Sequence, residues 1–323
     1  MVKAISLKIL RFALLLICAS ILAFTLIALS PIDPVTAYVG VGANPNVSIE
    51  QRENIIKYWG LDKPPFERFI IWAKRFFTGD MGESMIYREP VINVIKDRAG
   101  NSFLLMGTSW ILSGLIGVTI GIFMGIYKDS IIDKILRAVC IFLYSTPTFW
   151  VGILLLMVFG VYLGIFPIGL SVPIGSDFSN VSFTDRLYHL VLPALALSLT
   201  GFSVIAMQTR EKMIQVLNSD YVTFAKARGK SLYNIVFNHG LKNSILPIIT
   251  LQFASISELF GGSILAEQVF AYPGLGQAAV QAGLRSDAAL LLAITVFSTA
   301  LVFIGNTIAD ILYRIVDPRI RKG

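Results

Sequence analysis

Six long apolar runs alternate with segments where charged and turn-forming residues gather. They are Ile9 to Leu29, Phe103 to Tyr127, Ala138 to Leu163, Leu187 to Met207, Ile245 to Ala266 and Ala288 to Tyr313. Each reaches the roughly 20 residues that a helix needs to cross a hydrocarbon core of about 30 Å. The pattern predicts an all-α integral membrane protein with six transmembrane helices and both termini on one side. The first run is long and closely followed by Pro31, which favours a retained anchor over a cleaved leader.

The polar stretches predict the rest of the organisation. Pro31 to Gly100 reads as a large extramembrane segment. It has turn signals at Pro45, Pro64-Pro65 and Gly79-Asp80, and helical periodicity around Ile49 to Tyr58 and Phe66 to Phe77. Ser219 to Pro247, SDYVTFAKARGKSLYNIVFNHGLKNSILP, interrupts the apolar pattern with a basic, helix-prone insert. Asp220 is expected to N-cap a short helix in which Tyr221, Phe224 and Ala225 share a face. Gly229 supplies the left-handed stop, and Ser231 caps a second short helix with Leu232, Ile235 and Val236 in line. Two amphipathic helices hinged at a glycine make a knob that a soluble partner can grip. In the second apolar run, Ser109, Ser113, Gly117, Gly121 and Gly125 recur every four residues. Such a ladder of small side chains admits another helix closely, either within the chain or at a subunit interface or pathway.

Composition agrees with a membrane protein: 55% of the residues are hydrophobic, only 15% are charged, and the mean hydropathy is +0.72. Charge sets the orientation. With the N-terminus inside, the inner segments hold Lys3, Lys8 and Arg11; Lys128, Lys134 and Arg137; Arg210, Lys212, Lys226, Arg228, Lys230 and Lys242; and Arg314, Arg319, Arg321 and Lys322. The two short outer loops hold only Arg186 and Arg285. This asymmetry predicts cytoplasmic termini and an extracytoplasmic segment after the first span. The excess of +7 is thus a topology signal with some attraction to anionic lipid, and it does not indicate nucleic acid.

Chemistry-bearing residues are few. Cys18 and Cys140 fall inside apolar runs, and His189 and His239 fall on opposite sides of the membrane, so no metal site is expected. Gly229-Lys230-Ser231 mimics the end of a phosphate-binding loop, but the glycine required five residues earlier is Phe224. The chain is expected neither to bind ATP itself nor to catalyse a reaction.

Eight short motifs in order carry a resemblance. They are Asp33-Pro34; Trp59-Gly60-Leu61-Asp62-Lys63-Pro64; Gly79-Asp80-Met81-Gly82; His189-Leu190-Val191-Leu192-Pro193-Ala194; Arg210 with Met213 and Asp220-Tyr221-Val222 to Gly229; Asn243 with Leu246-Pro247; Phe270-Ala271-Tyr272-Pro273-Gly274-Leu275-Gly276; and Asp317-Pro318-Arg319-Ile320-Arg321. The whole chain resembles the inner-membrane permease subunits of ABC importers for dipeptides, oligopeptides and nickel. The resemblance implies a type I importer permease fold, with residues 1–100 as first helix plus extracytoplasmic region. Residues 101–323 would form the transmembrane domain, with a cytoplasmic coupling loop at about 209–245. It implies a coupling role for Asp220, Tyr221, Ala225, Ala227, Gly229, His239 and Asn243. Thr223 replaces the glutamate of the broader permease signature, as is common in this branch, and Ser286-Asp287-Ala288-Ala289 departs from the family's outer-loop pattern. The implied partners are a second homologous permease, two cytoplasmic ATPases that use ATP and magnesium, an extracytoplasmic substrate-binding protein, and the lipid of a bacterial or archaeal inner membrane.

Glu258, in Ser257-Glu258-Leu259-Phe260-Gly261-Gly262, lies well inside the fifth run, and an intramembrane carboxylate is costly unless it faces a partner or a watery cavity. Together with Asn306 and Asp310 it looks more like the nickel branch than the dipeptide branch. The expected cargo is therefore nickel as a chelate, with peptide import as the alternative. Gln252, Ser255 and Glu258 are the expected pathway residues, and Glu258 either draws a cationic chelate or pairs with the partner permease. A membrane anchor with a docking loop would also fit. A secondary transporter fits less well, because no inverted repeat is found.

Overall fold

The computed structural model describes residues 2–29, 50, 53, 56, 62–173, 182–285 and 287–316; side chains at 2–5, 65, 232, 239, 242–247 and 312–316 lie outside the described set. Among the described residues the structure is helical, with β pairing limited to one bridge between Glu83 and Pro90. The helices are α1 (Val2–Ala28), α2 (Pro65–Phe77), α3 (Val91–Ile126), α4 (Ile131–Ser145) and α5 (Thr148–Leu155), the last continued by a π-helical segment, Leu156–Tyr162. Then come α6 (Phe183–Leu217), α7 (Asp220–Ala227) and α8 (Leu232–Ile235), continued by π-helical Val236–Leu241. The chain goes on through α9 (Lys242–Ala254), α10 (Ile256–Val269), α11 (Leu275–Leu284) and α12 (Ala288–Val316).

Four of these, α1, α3, α6 and α12, are long and apolar enough to cross a membrane alone; the bent pairs α4–α5 and α9–α10 bring the number to six if each is one span. The third apolar run is therefore not the continuous helix its composition suggests. It starts earlier, at Ile131, and turns by 109° between Ser145 and Thr148. Pro147 is the cause: the residue before a proline is driven out of helical space, and Thr146 sits at φ −96°, ψ 129°. The fifth run bends by 50° at Ser255, whose hydroxyl donates to the Gln252 carbonyl at 2.8 Å, where it competes with the helix's own bonds.

The chain divides into two compact units. The first joins residues 1–101 to Pro273–Phe303, so α11 and most of α12 group with the N-terminal part. The reason is apolar packing. Val91, Val94 and Ile95 of α3 share a buried cluster with Leu275, Ala278 and Ala282 of α11 and Leu290, Ala293 and Ile294 of α12. Beside this cluster Asp287, fully buried, ties the 84–86 turn to the start of α12. Its Oδ2 accepts from Ser84 Oγ at 2.6 Å and from the Ile86 amide at 3.2 Å, and its Oδ1 caps α12 through the Leu290 amide at 3.1 Å.

The second unit, Ser102–Tyr272 with Ile304–Gly323, is built on the contact of α3 with α6. The small-residue ladder is taken up here, inside the chain. A Cβ at Gly117 would stand 2.8 Å from Ile205 Cβ, one at Gly121 2.5 Å from the Ala206 carbonyl, and one at Gly125 2.6 Å from Met213 Cβ. Ser113 faces Gly201, and Ser109 returns its hydroxyl to the Leu105 carbonyl. Toward the other end of α6, Leu190, Leu192, Ala196 and Leu197 pack with Leu105, Ala266, Phe270 and Tyr272. The buried Glu267 carboxylate of α10 accepts from Ser102 Oγ at 2.6 Å.

Candidate functional site

The insert after α6 folds as two short helices around a tight turn. Ser219, not Asp220, takes the N-cap conformation of α7 (φ −78°, ψ 153°); its hydroxyl turns back to the Val216 carbonyl, and Asp220 opens the first turn, where a carboxylate suits the helix dipole. Gly229 has φ +78° and ends α7 as expected. Two bonds complete the reversal: the Gly229 amide donates to the Lys226 carbonyl at 2.9 Å, and the Lys230 amide to the Ala225 carbonyl at 3.1 Å. This pairing is a Schellman motif, which needs a residue at ease in left-handed space. Ser231 then caps α8 through the Asn234 amide.

Each helix has a buried side and an open side. Val222 and Ala225 of α7 pack with Val216, Leu217 and Ile235. Tyr221 and Phe224, the latter 72% exposed, stand on the outer face with Lys226, Arg228 and Lys230. Tyr233 and Phe237 are also exposed, their rings 4.4 Å apart, and with Phe123 and Tyr127 of α3 they line an apolar groove. Ala227 lies in the last turn of α7 and is exposed. The side chains of His239 and Asn243 lie outside the described residues.

One contact ties this knob to the spans, and a second braces α6 just ahead of it. Met213 of α6 is completely buried, between Gly125 of α3 and Gly240, where a Cβ would stand 2.9 Å from its sulfur. One turn earlier Arg210 makes a fork with Asp133 of α4: Nε donates to Oδ1 and Nη2 to Oδ2, both at 2.7 Å. Asp133 has no exposed surface, and its Oδ2 also accepts from the Asp129 amide at 2.9 Å. Reasoning from the sequence singled out Arg210 and missed its partner. The usable signal is Ser130-Ile131-Ile132-Asp133, the spacing of a helix cap, and the Asp133 amide does bond Ser130 Oγ at 3.2 Å.

The expected pathway residues separate. Gln252 is buried: its Nε2 donates to the Trp110 main-chain carbonyl and Trp110 Nε1 donates to the Gln252 main-chain carbonyl at 2.7 Å, which locks α9 to α3. Gln252 Oε1 is buried with no hydrogen-bond partner among the described residues. Ser255 stands at the bend between α9 and α10. Glu258 is exposed on the first turn of α10 and makes no hydrogen bond or ion pair with a described residue, whereas its neighbour Ser257 donates to Asn306 Oδ1. Among the described residues no group of three or more His, Cys, Asp or Glu side chains is placed to hold a metal.

The chain is similar to known transport proteins over nearly its full length. Residues 117–322 match the family described as binding-protein-dependent transport system inner membrane component. It is 37% identical to the oligopeptide transport system permease protein AppB of Bacillus subtilis, covering 95% of both chains. It is 31% identical to the di/tripeptide transport system permease protein DppB of Pseudomonas aeruginosa, covering 94% of both. An inward-facing structure of the MetNI methionine ABC transporter superposes with a TM-score of 0.56 at 15% identity, over 70% of this chain and 97% of that one, a likeness of fold. The apolar spans, the type I permease fold and these relatives agree: the chain belongs to the binding-protein-dependent transport system inner membrane components and is a permease subunit of an ABC importer, not a catalytic enzyme.

Proposed function

We propose that this permease forms half of the translocation pathway of a peptide importer, with a second homologous permease forming the other half. The observation that carries the peptide reading is the full-length similarity to permeases named for oligopeptides and di/tripeptides. Nickel, the cargo expected from Glu258 and Asn306, gives way to it: the relatives carry peptide names, and Asn306 is engaged by Ser257. Glu258 keeps a pathway role, because an exposed carboxylate in an apolar span demands a polar partner, and a peptide ammonium supplies one.

The α7–α8 knob is the grip for the cytoplasmic ATPases, which bind ATP and magnesium. Its open aromatic edge fits a groove, and its buried edge is fastened to α6. ATP-driven closure displaces the knob, and Met213 passes the displacement to the spans, switching access between the two membrane faces. Both termini lie in the cytoplasm, and an extracytoplasmic binding protein delivers the peptide.

Proteoliposomes carrying this chain with its permease partner, ATPases and binding protein test the reading. Labelled di- to oligopeptide uptake that depends on ATP, with no nickel uptake, is the expected result. Glu258→Gln, which keeps the volume and removes the charge, lowers peptide uptake while assembly and basal ATP hydrolysis persist. Nickel uptake without peptide uptake overturns the proposal.

A further inference from the structure

We infer that α2 lies in the membrane–water interface at the far end of α1, with Phe66, Ile70 and Phe77 immersed in lipid. At 100° per residue, Trp72, Phe76, Phe69, Ala73, Phe66, Phe77 and Ile70 fall in order along one continuous apolar arc of about 160°. Lys74, Glu67, Arg75 and Arg68 fall on the remaining side, where Ile71 is the only apolar side chain. The described residues cover only half of the arc. Phe69 and Trp72 meet Phe24 of α1, with ring centroids 5.5 and 6.5 Å away, and Phe76 joins the buried cluster of the first unit. The other half is open: Phe66 is 74% and Phe77 85% exposed, and Ile70 is exposed between them.

What covers this half follows from where Phe24 stands. It is four residues from the end of α1, about 6 Å along the axis, so α2 packs at the depth where the span leaves the hydrocarbon. At that depth Trp and other aromatics concentrate, because the boundary takes an apolar body and a polar edge together. The exposed stripe also continues the surface of α1, whose side chains are almost entirely unburied and whose outer end shows Leu22, Leu26 and Leu29. A surface continuous with a lipid-facing span, at the level of its end, meets the same lipid. Lys74, at the edge of the stripe, can run its stem along the apolar surface and reach a phosphate.

The test uses the full chain with Cys18 and Cys140 replaced, in phosphatidylcholine–phosphatidylglycerol vesicles, carrying one nitroxide at a time at residue 66, 70 or 77. Controls carry it at Lys63 or Glu67. These positions are exposed, so the label disturbs no packing. The three stripe positions are expected to collide more with oxygen than with a water-soluble nickel chelate, giving depths just inside the headgroups, and the two controls the reverse. Stripe labels as accessible to the chelate as the label at Lys63 overturn the inference. Stripe labels shielded from both reagents also overturn it, and assign the face to a protein partner.

Discussion

Asp133 and Arg210, 77 residues apart, meet in a two-bond fork with both bonds at 2.7 Å, at the end of α6 that leads into the knob. Neither side chain has significant exposure, so each is the other's answer to desolvation. Removing either charge alone, by Asp133→Ala or Arg210→Ala, is expected to cost about 3–5 kcal/mol because a buried charge is left behind. Thermal unfolding of the purified chain in detergent reads the loss. Full retention of the wild-type melting temperature in either variant contradicts this.

At Gly229 the constraint is conformational and not steric, since nothing lies within 4 Å of a Cβ there. Ala is expected to cost the α7–α8 turn about 1 kcal/mol or more, Val more still, and Asn least, because Asn tolerates left-handed backbone. Gly229→Val should therefore insert normally yet lose co-purification with the ATPases, while Gly229→Asn keeps most of it. Equal co-purification of all three variants counts against the knob as the grip.

The ladder on α3 predicts the opposite kind of glycine. Gly121→Ala places a Cβ 2.5 Å from the Ala206 carbonyl and from Thr209 Cβ, so α3 and α6 must part. Overpacking of this kind costs about 1–3 kcal/mol. Gly107, two turns before Gly114 on the same helix, has nothing within 4 Å, and Gly107→Ala should be neutral or slightly stabilising. Melting temperatures of the two variants should move apart, and equal shifts would refute the assignment of the ladder to the α3–α6 contact.

Asp287 is expected to hold the 84–87 turn in place. Asp287→Ala removes the acceptor for Ser84 Oγ and for the Ile86 amide and also uncaps α12, whereas Ser84→Ala removes only the bond to Asp287 and the acceptor for the Tyr87 amide. Limited proteolysis of sealed vesicles should cut between Gly82 and Pro90 fastest in Asp287→Ala, less fast in Ser84→Ala and slowest in the wild type. Identical cleavage rates would show that the turn is held by other contacts.

The spans are legible because an apolar run of 20 residues has few other fates, and Gly229 is legible because left-handed backbone selects glycine. The corner at Pro147 was readable from Thr146-Pro147, yet the unbroken apolarity on both sides hides it: hydropathy reports depth and carries no direction. Ser219 rather than Asp220 caps α7 because α6 runs to Leu217 and leaves only one extended residue before the next helix. The pairs Asp133–Arg210, Ser84–Asp287 and Ser102–Glu267 join residues 77 to 203 positions apart. No local periodicity encodes such distances. Gln252 shows the converse: helical spacing put it in line with Glu258, but the main-chain carbonyl of Trp110, 142 residues away, takes its amide.

The burial of Met213 has a mechanical meaning. A thioether chain is the most pliable of the large apolar side chains, and in a roomy core it would act as a shock absorber. Here its freedom is gone, with Gly125 against its Cβ and Gly240 against its sulfur. Two glycines have removed the slack from both ends of a soft link, and a close-packed interior is nearly incompressible. On the coupling role proposed for the knob, a push on it has little slack to cross before it reaches α3, and the joint acts as a gear tooth, not a cushion.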